Sequence, residues 1–397
     1  MDLYFQFGHG MMDLCRNLIR AWESGTVILS PRDLNGEQIL RFANDIKRIN
    51  GRLLLDPQLY EPRANHHRLT QHDYWPVDYD TNIFLGGLGL RNLLVGLRKL
   101  NDAAQTDAYI IPGLYCDRFD DDWLTFQQSI IDESSNVFNG KPQLATICLS
   151  GETLRNEEQI EMLLNCSESW DVEGYYVVPE RPHGQYLVDD PLWLTNLLVL
   201  CSGLKLQKRQ VIVGYCNHQM LCLASANVDA LASGTWLNVR TFSTAKFIEA
   251  ADDNKSRRAK WYYCPHALSE FKLAFLDMGH RAGIIETMRP DPAIGSNYAD
   301  ILFTGALPTS TNYSETESFR HYLQCLHTQC LNARGDSFRK TIDNHNLILT
   351  TAEGFLNQFH ECGVRGQDRD FANYIDVNRS AIAGLVRSRG FVLDRQW

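Results

Sequence analysis

Residues 209–240 read RQVIVGYCNHQMLCLASANVDALASGTWLNVR, and the architecture hangs on how they divide. The run 210–215 is β-branched and apolar between polar flanks, as a buried strand is. Residues 219–226 put Met220, Leu221, Leu223 and Ala224 on one apolar helical face. The run 229–233 is small and apolar through Ala230, Leu231 and Ala232, which suits a tightly packed inner strand. Two strands joined by a helix pair in parallel, so the stretch is a βαβ unit. Each strand turns polar at its carboxyl end, with Cys216-Asn217-His218 after one and Ser233-Gly234-Thr235-Trp236 after the other. Parallel α/β sheets carry their chemistry at those ends.

The same alternation fills the chain before this unit. Strand-like runs fall at 3–7, 26–30, 52–56, 83–85, 109–112, 144–149 and 174–178, and helical runs at 12–23, 36–49, 91–100, 122–133, 156–164 and 191–204. About eight alternations over about 250 residues predict a TIM-like (β/α)8 barrel. An open doubly wound sheet is the alternative, but no GxGxxG follows the first strand. After Arg240 the pattern loosens. Residues 252–260 form a charged, solvated loop, 267–281 read as a helix, and the Pro-, Ser- and Thr-rich run 290–318 as a linker or long loop. Helical runs at 317–332, 347–359 and 368–389 complete the chain. The expected division is a barrel over 1–288 and a helical C-terminal extension over 289–397.

Composition narrows the function. The chain has 397 residues, 44% of them hydrophobic, enough for a sizeable core. No apolar run nears the roughly 20 residues that span a bilayer, and the N-terminus lacks a signal layout, so a cytoplasmic protein with no membrane partner is expected. LYFQFG near the start resembles a tag remnant but also alternates as a first strand, and it is kept as structure. Eleven cysteines without CxxC pairs point to reduced, buried thiols. A formal charge of −10 disfavours non-specific nucleic-acid binding but allows a local basic groove or a partner subunit that supplies charge.

Most expected strands run into a polar or charged group. Asp56, Asp117, Glu152 and Glu180 would converge on one rim of a barrel. Ionised carboxylates are pure acceptors, so such a ring can hold the N–H groups of a polar heterocycle. It can also supply a general acid and a nucleophile or base, if burial and repulsion separate their pKa values. The plainer reading is that each caps a helix or pairs with an arginine; Arg118 and Arg181 stand adjacent for that purpose. His9, in Gly8-His9-Gly10, sits where glycines let a ligand approach the backbone. His66, His67, His72 and His218 show no HExxH or HxH spacing, so no metal site and no cofactor are expected. Trp236 could stack on a base or simply pack.

In order and spacing, these pieces resemble the tRNA-guanine transglycosylase family over roughly residues 1–285. VIVGY, CNHQMLCLASA and NVDALASGTWLNVR are similar to its LMGVG strand, the following helix and GVDMFDCVMPTR. Leu55-Asp56-Pro57-Gln58-Leu59-Tyr60 is similar to its DSGGFQ, GYYVVPE (174–180) to GYAIGGLAVGE, and CPHALSEF (264–271) to the last zinc cysteine and its helix. Two departures matter. The family's nucleophilic Asp falls on Ala232, with Ser233 beside it, and Asp229 matches an earlier Asp at the wrong end of the strand. Cys264 also lacks its CxC partner and a later His. Loss of the zinc appendage turns the resemblance toward the 7-deazaguanine DNA transglycosylases of modification and defence systems.

The resemblance implies an exchange of guanine in nucleic acid, DNA rather than tRNA, for a 7-deazaguanine base. In a duplex the target nucleotide would be flipped out. Asp56 would be the acid, Glu180 or Asp117 the nucleophile, and Glu152 a reader of the base edge. Gln58, His9, Ser233 and Trp236 would contact substrate. Two rivals are a base-excising hydrolase on the same scaffold and a degenerate barrel that binds a nucleobase or nucleic acid within a modification complex.

Overall fold

The computed structural model describes residues 1–76, 79, 84–85, 88–248 and 259–397. Its centre is a curled parallel sheet. The strands are β1 (Asp2–Gln6), β2 (Thr26–Leu29), β3 (Arg52–Leu55), β4 (Tyr109–Ile111), β5 (Tyr115–Cys116), β6 (Gln143–Leu149), β7 (Gly174–Pro179), β8 (Gln210–Val213) and β9 (Ala230–Ser233). They run in the order β3-β2-β1-β9-β8-β7-β6-β4, with β5 also on β6. First and last strands are therefore neighbours, with Tyr4 opposite Ala232 and Phe5 opposite Ser233. Among the described residues β3 and β4 share no ladder. They approach through the Asp107 amide, which donates to the Leu53 carbonyl at 2.8 Å, and the Asp107 carboxylate, which accepts from the Leu53 amide at 2.7 Å.

Helices α1 (Met12–Trp22), α2 (Gly36–Lys47), α3 (Gly89–Ala104), α4 (Asp121–Val137), α5 (Gly151–Arg155), α6 (Glu157–Ser167) and α7 (Pro191–Leu206) alternate with the strands. Their starts follow capping chemistry: Asn35, Asp120, Ser150, Asn156 and Asp190 each accept a hydrogen bond from a first-turn amide. Strands β8 and β9 are parallel, Ile212 opposite Ala230, as the βαβ reading requires. Their connection is a 3₁₀ helix, His218–Ala226, rather than an α-helix, and all of its residues are buried. Of the expected strand at 83–85, Ile83 lies outside the described residues and Phe84 and Leu85 are helical. Residues 252–258 of the expected charged loop also lie outside them.

Beyond the short α8 (Ala245–Ile248), the structure departs from the expected helix at 267–281. Trp261–Cys264 and Ser269–Lys272 form an antiparallel hairpin, β10–β11, and α9 begins only at Leu273. The turn between the arms is Pro265–Ala267, followed by Leu268 in the left-handed region, a geometry that ends any helix. The last helices are α10 (Glu315–Ala333), α11 (Phe338–Glu361) and α12 (Ile375–Gln396). They pack onto the sheet's own helices. Trp22 donates to Gln324 at 2.6 Å, and Arg389 pairs with Glu161 at 2.7 Å. All eleven cysteines are free, and among the described residues no helix is long and apolar enough to cross a membrane.

Candidate functional site

Asp56 follows β3 and is completely buried. Its backbone turn places Gln58 at φ 56° and lets the Gln58 amide donate to Asp56 Oδ1 at 3.0 Å. Three tyrosines close on the same carboxyl, Tyr60 from four residues along and Tyr176 and Tyr215 from 120 and 159 positions away. The Tyr60 hydroxyl is 2.9 Å from both oxygens, that of Tyr215 is 3.0 Å from Oδ2, and that of Tyr176, on β7, is 3.3 Å from Oδ2. Burial disfavours the charged form and raises the Asp56 pKa to about 6, against the pull of these donors. Tyr176 also lies 2.9 Å from the Gln6 side-chain amide, which ties β1 into the cluster.

Gln58 braces this cluster. Its Nε2 donates to Ser30 Oγ at 2.9 Å and its Oε1 accepts from the Arg32 amide at 2.9 Å. Phe242 and Phe247 cover the tyrosines, with ring centroids 5.0 and 4.9 Å from Tyr60, and Phe242 is 5.3 Å from Tyr215. The backbone of Phe242 bridges to Glu180, which holds this cover against the end of β7.

Glu180 is half-buried and accepts a short hydrogen bond from the Tyr115 hydroxyl. Glu61 stands near it, its pKa raised by burial and by the charges of Glu180 and Asp117. A cavity of about 560 Å³ opens here, lined by Tyr60, Glu61, Arg63, Tyr79, Tyr115 and Trp123 among others. Neither Asp56 nor Glu180 lines this space; Tyr60 and Tyr115, their hydrogen-bond partners, stand between them and it. Asp117 is exposed, and its backbone carbonyl is held by Ser150 and Thr153.

Glu152 does not join this group. Ser150 caps α5 one residue before the helix begins, so Glu152 falls in the first turn, its side chain 75% exposed and 3.5 Å from Arg155. Ser233 is fully buried on β9, and Ala232 beside it is buried too. His9 and Trp236 line a different cavity, between the ends of β1 and β9, the β10–β11 hairpin and α10. The histidines do not converge. His72 bonds the Pro31 carbonyl, His218 packs 4.9 Å from Tyr263, and among the described residues no group of acidic, Cys or His side chains is placed to hold a metal.

The cavity beside Trp236 contains an ion triad that was not anticipated. Glu270 accepts from Arg240 at 3.1 Å, from Arg369 at 2.9 Å and from the Tyr186 hydroxyl at 2.6 Å. Burial pushes the Glu270 carboxyl up, but the two guanidinium groups outweigh it and hold its pKa at about 2. Arg240 also lies over the Tyr322 ring at 3.4 Å, and Arg369 over Trp261 at 3.8 Å.

No family model matches the chain, and no curated protein matches it. Among solved structures it is similar to the carboxyl transferase domain of Rhizobium etli pyruvate carboxylase. With pyruvate bound, that structure shows 11% identity and a TM-score of 0.36, over 98% of this chain and 60% of the other. With pyruvate and biocytin the figures are 11% and 0.29, over 90% and 51%. The chain thus spans between about half and three-fifths of those chains.

Proposed function

We propose that the chain is a transglycosylase-like protein on a (β/α)8 barrel, exchanging guanine in nucleic acid, DNA in preference to tRNA, for a 7-deazaguanine base. The observation that carries this reading is the Asp56 carboxyl, shifted to about 6 inside a cage of three tyrosines at a strand end. An acid that changes charge near neutral pH suits proton delivery to a departing base. Tyr60 touches both Asp56 oxygens and lines the cavity, so it relays the proton: it donates to the base as it takes one from Asp56. Glu180 is favoured over Asp117 as the attacking carboxylate, because its partner Tyr115 lines the same cavity while Asp117 is exposed. Its oxygen bonds to the anomeric carbon as the glycosidic C–N bond breaks; the incoming base, its N–H proton returning through Tyr60 to the ionised Asp56, then displaces the Glu180 oxygen with retained stereochemistry.

The test is incubation with labelled guanine and single- or double-stranded DNA. Label retained in the polymer is expected, and its loss in both Asp56→Asn and Glu180→Gln. Release of base without incorporation would instead identify a hydrolase.

A second reading is a nucleobase-binding subunit without catalysis. It is favoured by Ala232, buried where the resembling family has its nucleophile, and by Phe242 and Phe247 over the Asp56 cage. Bound base recovered unchanged after prolonged incubation would support it.

A further inference from the structure

Helix α12 lies against α7, and Gly384 permits the approach: a Cβ there would stand 2.6 Å from Thr195 Cγ2. Ala381, Ile382, Leu385 and Leu393 form its buried side. The opposite side carries Arg387, Phe391 and Arg395, spaced four residues apart on one stripe, and all three are exposed. Phe391 is 71% exposed, more than any other large hydrophobic side chain among the described residues. The Arg395 guanidinium lies 4.2 Å from its ring. Neither Arg387 nor Arg395 pairs with a carboxylate among the described residues. The stripe is therefore an aromatic knob between two free cations.

A matching groove of about 800 Å³ lies on the same side of the molecule, between α5, α6 and the start of α7. Glu152, Glu157, Glu158 and Glu161 line it, with Arg155 and Leu192. Arg155 is engaged by Asp190 at 2.8 Å, whereas Glu157 and Glu158 have no cation partner among the described residues. Leu192 on the wall and Met162 on α6 are each 46% exposed. The groove thus offers apolar contact framed by negative charge, the complement of the stripe on α12.

Knob and groove do not meet within one chain. Arg389 ties α12 to Glu161 at the groove, at 2.7 Å. Phe391 follows two positions later, about 200° around the helix, and so faces away from its own groove. A second copy brings the two together. We propose that the chain forms a twofold dimer in which Phe391 of each copy enters the other's groove, against Leu192 and Met162, with Arg387 and Arg395 on Glu157 and Glu158. Such an arrangement is self-complementary and closes with two copies. It requires nothing of the Asp56 cage.

The test is sedimentation equilibrium of the full chain. A species of twice the 45.4 kDa of one chain is expected, with a Kd below about 100 µM. Phe391→Ser should weaken association at least about tenfold with an unchanged thermal midpoint, because the ring is exposed in the single chain. Arg387→Glu combined with Arg395→Glu should do the same, as should Glu157→Arg combined with Glu158→Arg. Equimolar mixing of these two charge-reversed chains should restore the dimer, since each face then meets its opposite sign. A parent that stays monomeric at about 1 mM, a Phe391→Ser chain that dimerises as tightly as the parent, or two folded charge-reversed chains that stay monomeric when mixed would each overturn the proposal.

Discussion

The hydroxyl of Tyr215 lies 3.0 Å from Asp56 Oδ2, although 159 positions separate the two residues. Tyr215 reaches it from a left-handed backbone, at φ 54°, two residues past the end of β8. Non-glycine residues enter that region at some cost, and here the surrounding packing and the bond to Asp56 hold it.

The buried acid sets a pH dependence of stability. In the unfolded chain Asp56 titrates near 3.8, and in the folded chain at about 6. The folded state therefore binds more protons between these values, and stability falls as pH rises through that window. Above it the penalty is constant, on the order of 3 kcal/mol. Asp56→Asn removes this contribution, so the variant should gain on the parent between pH 4 and pH 7. Urea midpoints of both chains across that range check it. A constant difference would mean that Asp56 titrates alike folded and unfolded.

Gly214 admits Tyr176 to the cage. A Cβ at this position would stand 2.5 Å from the Tyr176 hydroxyl oxygen. Gly214→Ala should therefore push Tyr176 off Asp56 and cost about 1–3 kcal/mol, as overpacking does. Combining it with Tyr176→Phe removes the closest of three clashing atoms, leaving Cε2 and Cζ at 2.8 Å, and the double variant should be more stable than the two single costs sum to. Additive costs in thermal denaturation would show that the clash is relieved elsewhere.

Glu270 works in the opposite direction to Asp56. Its folded pKa of about 2 lies below the usual 4.5, so its stabilisation is present above pH 4.5 and is lost as pH falls toward 2. Glu270→Gln leaves two buried guanidinium groups facing each other and should cost about 3–5 kcal/mol at pH 7. The gap between parent and variant should narrow below pH 4, as read by chemical unfolding. An equal gap at pH 7 and pH 3 would contradict this account of the triad.

Asp229 has a structural task at the start of β9. Its carboxylate accepts from Lys205 at 2.9 and 2.8 Å and from the Val211 amide at 2.7 Å. Asp229→Ala leaves that amide without its partner and should cost about 1–2 kcal/mol. Base exchange should be untouched once the folded fraction is matched. A selective loss of it would give Asp229 a role beyond tying β8 to β9.

What was legible in the chain was periodicity. The β-branched runs around Val211 and the apolar run of β9 signal their parallel pairing, because burial on both faces leaves a continuous apolar string. The crossover between them is helical, as its spacing indicates, and is of 3₁₀ type. Residues 219–226 have helical spacing, but nine fully buried residues must return the chain from one end of the sheet to the other. A 3₁₀ helix, rising about 2.0 Å per residue instead of about 1.5 Å, covers that distance with fewer residues. The β10–β11 hairpin escaped because its arms are four residues each and its turn, Pro265-His266-Ala267, resembles a helix start. Asp56 stood out as a strand-end carboxylate. Its tyrosines did not, since Tyr60, Tyr176 and Tyr215 are indistinguishable from core aromatics until β7 and the segments after β3 and β8 are brought together. The pairing of Glu270 with Arg369, across 99 positions, leaves no local trace.

The triad also has a bearing on synthesis. Arg369 comes from the segment between α11 and α12, after every strand of the sheet has been made. A nascent chain can therefore curl its sheet and set Arg240 beside Glu270 while the cationic wall is still half built. The cavity wall is complete only when the segment between α11 and α12 docks and brings Arg369 onto Glu270.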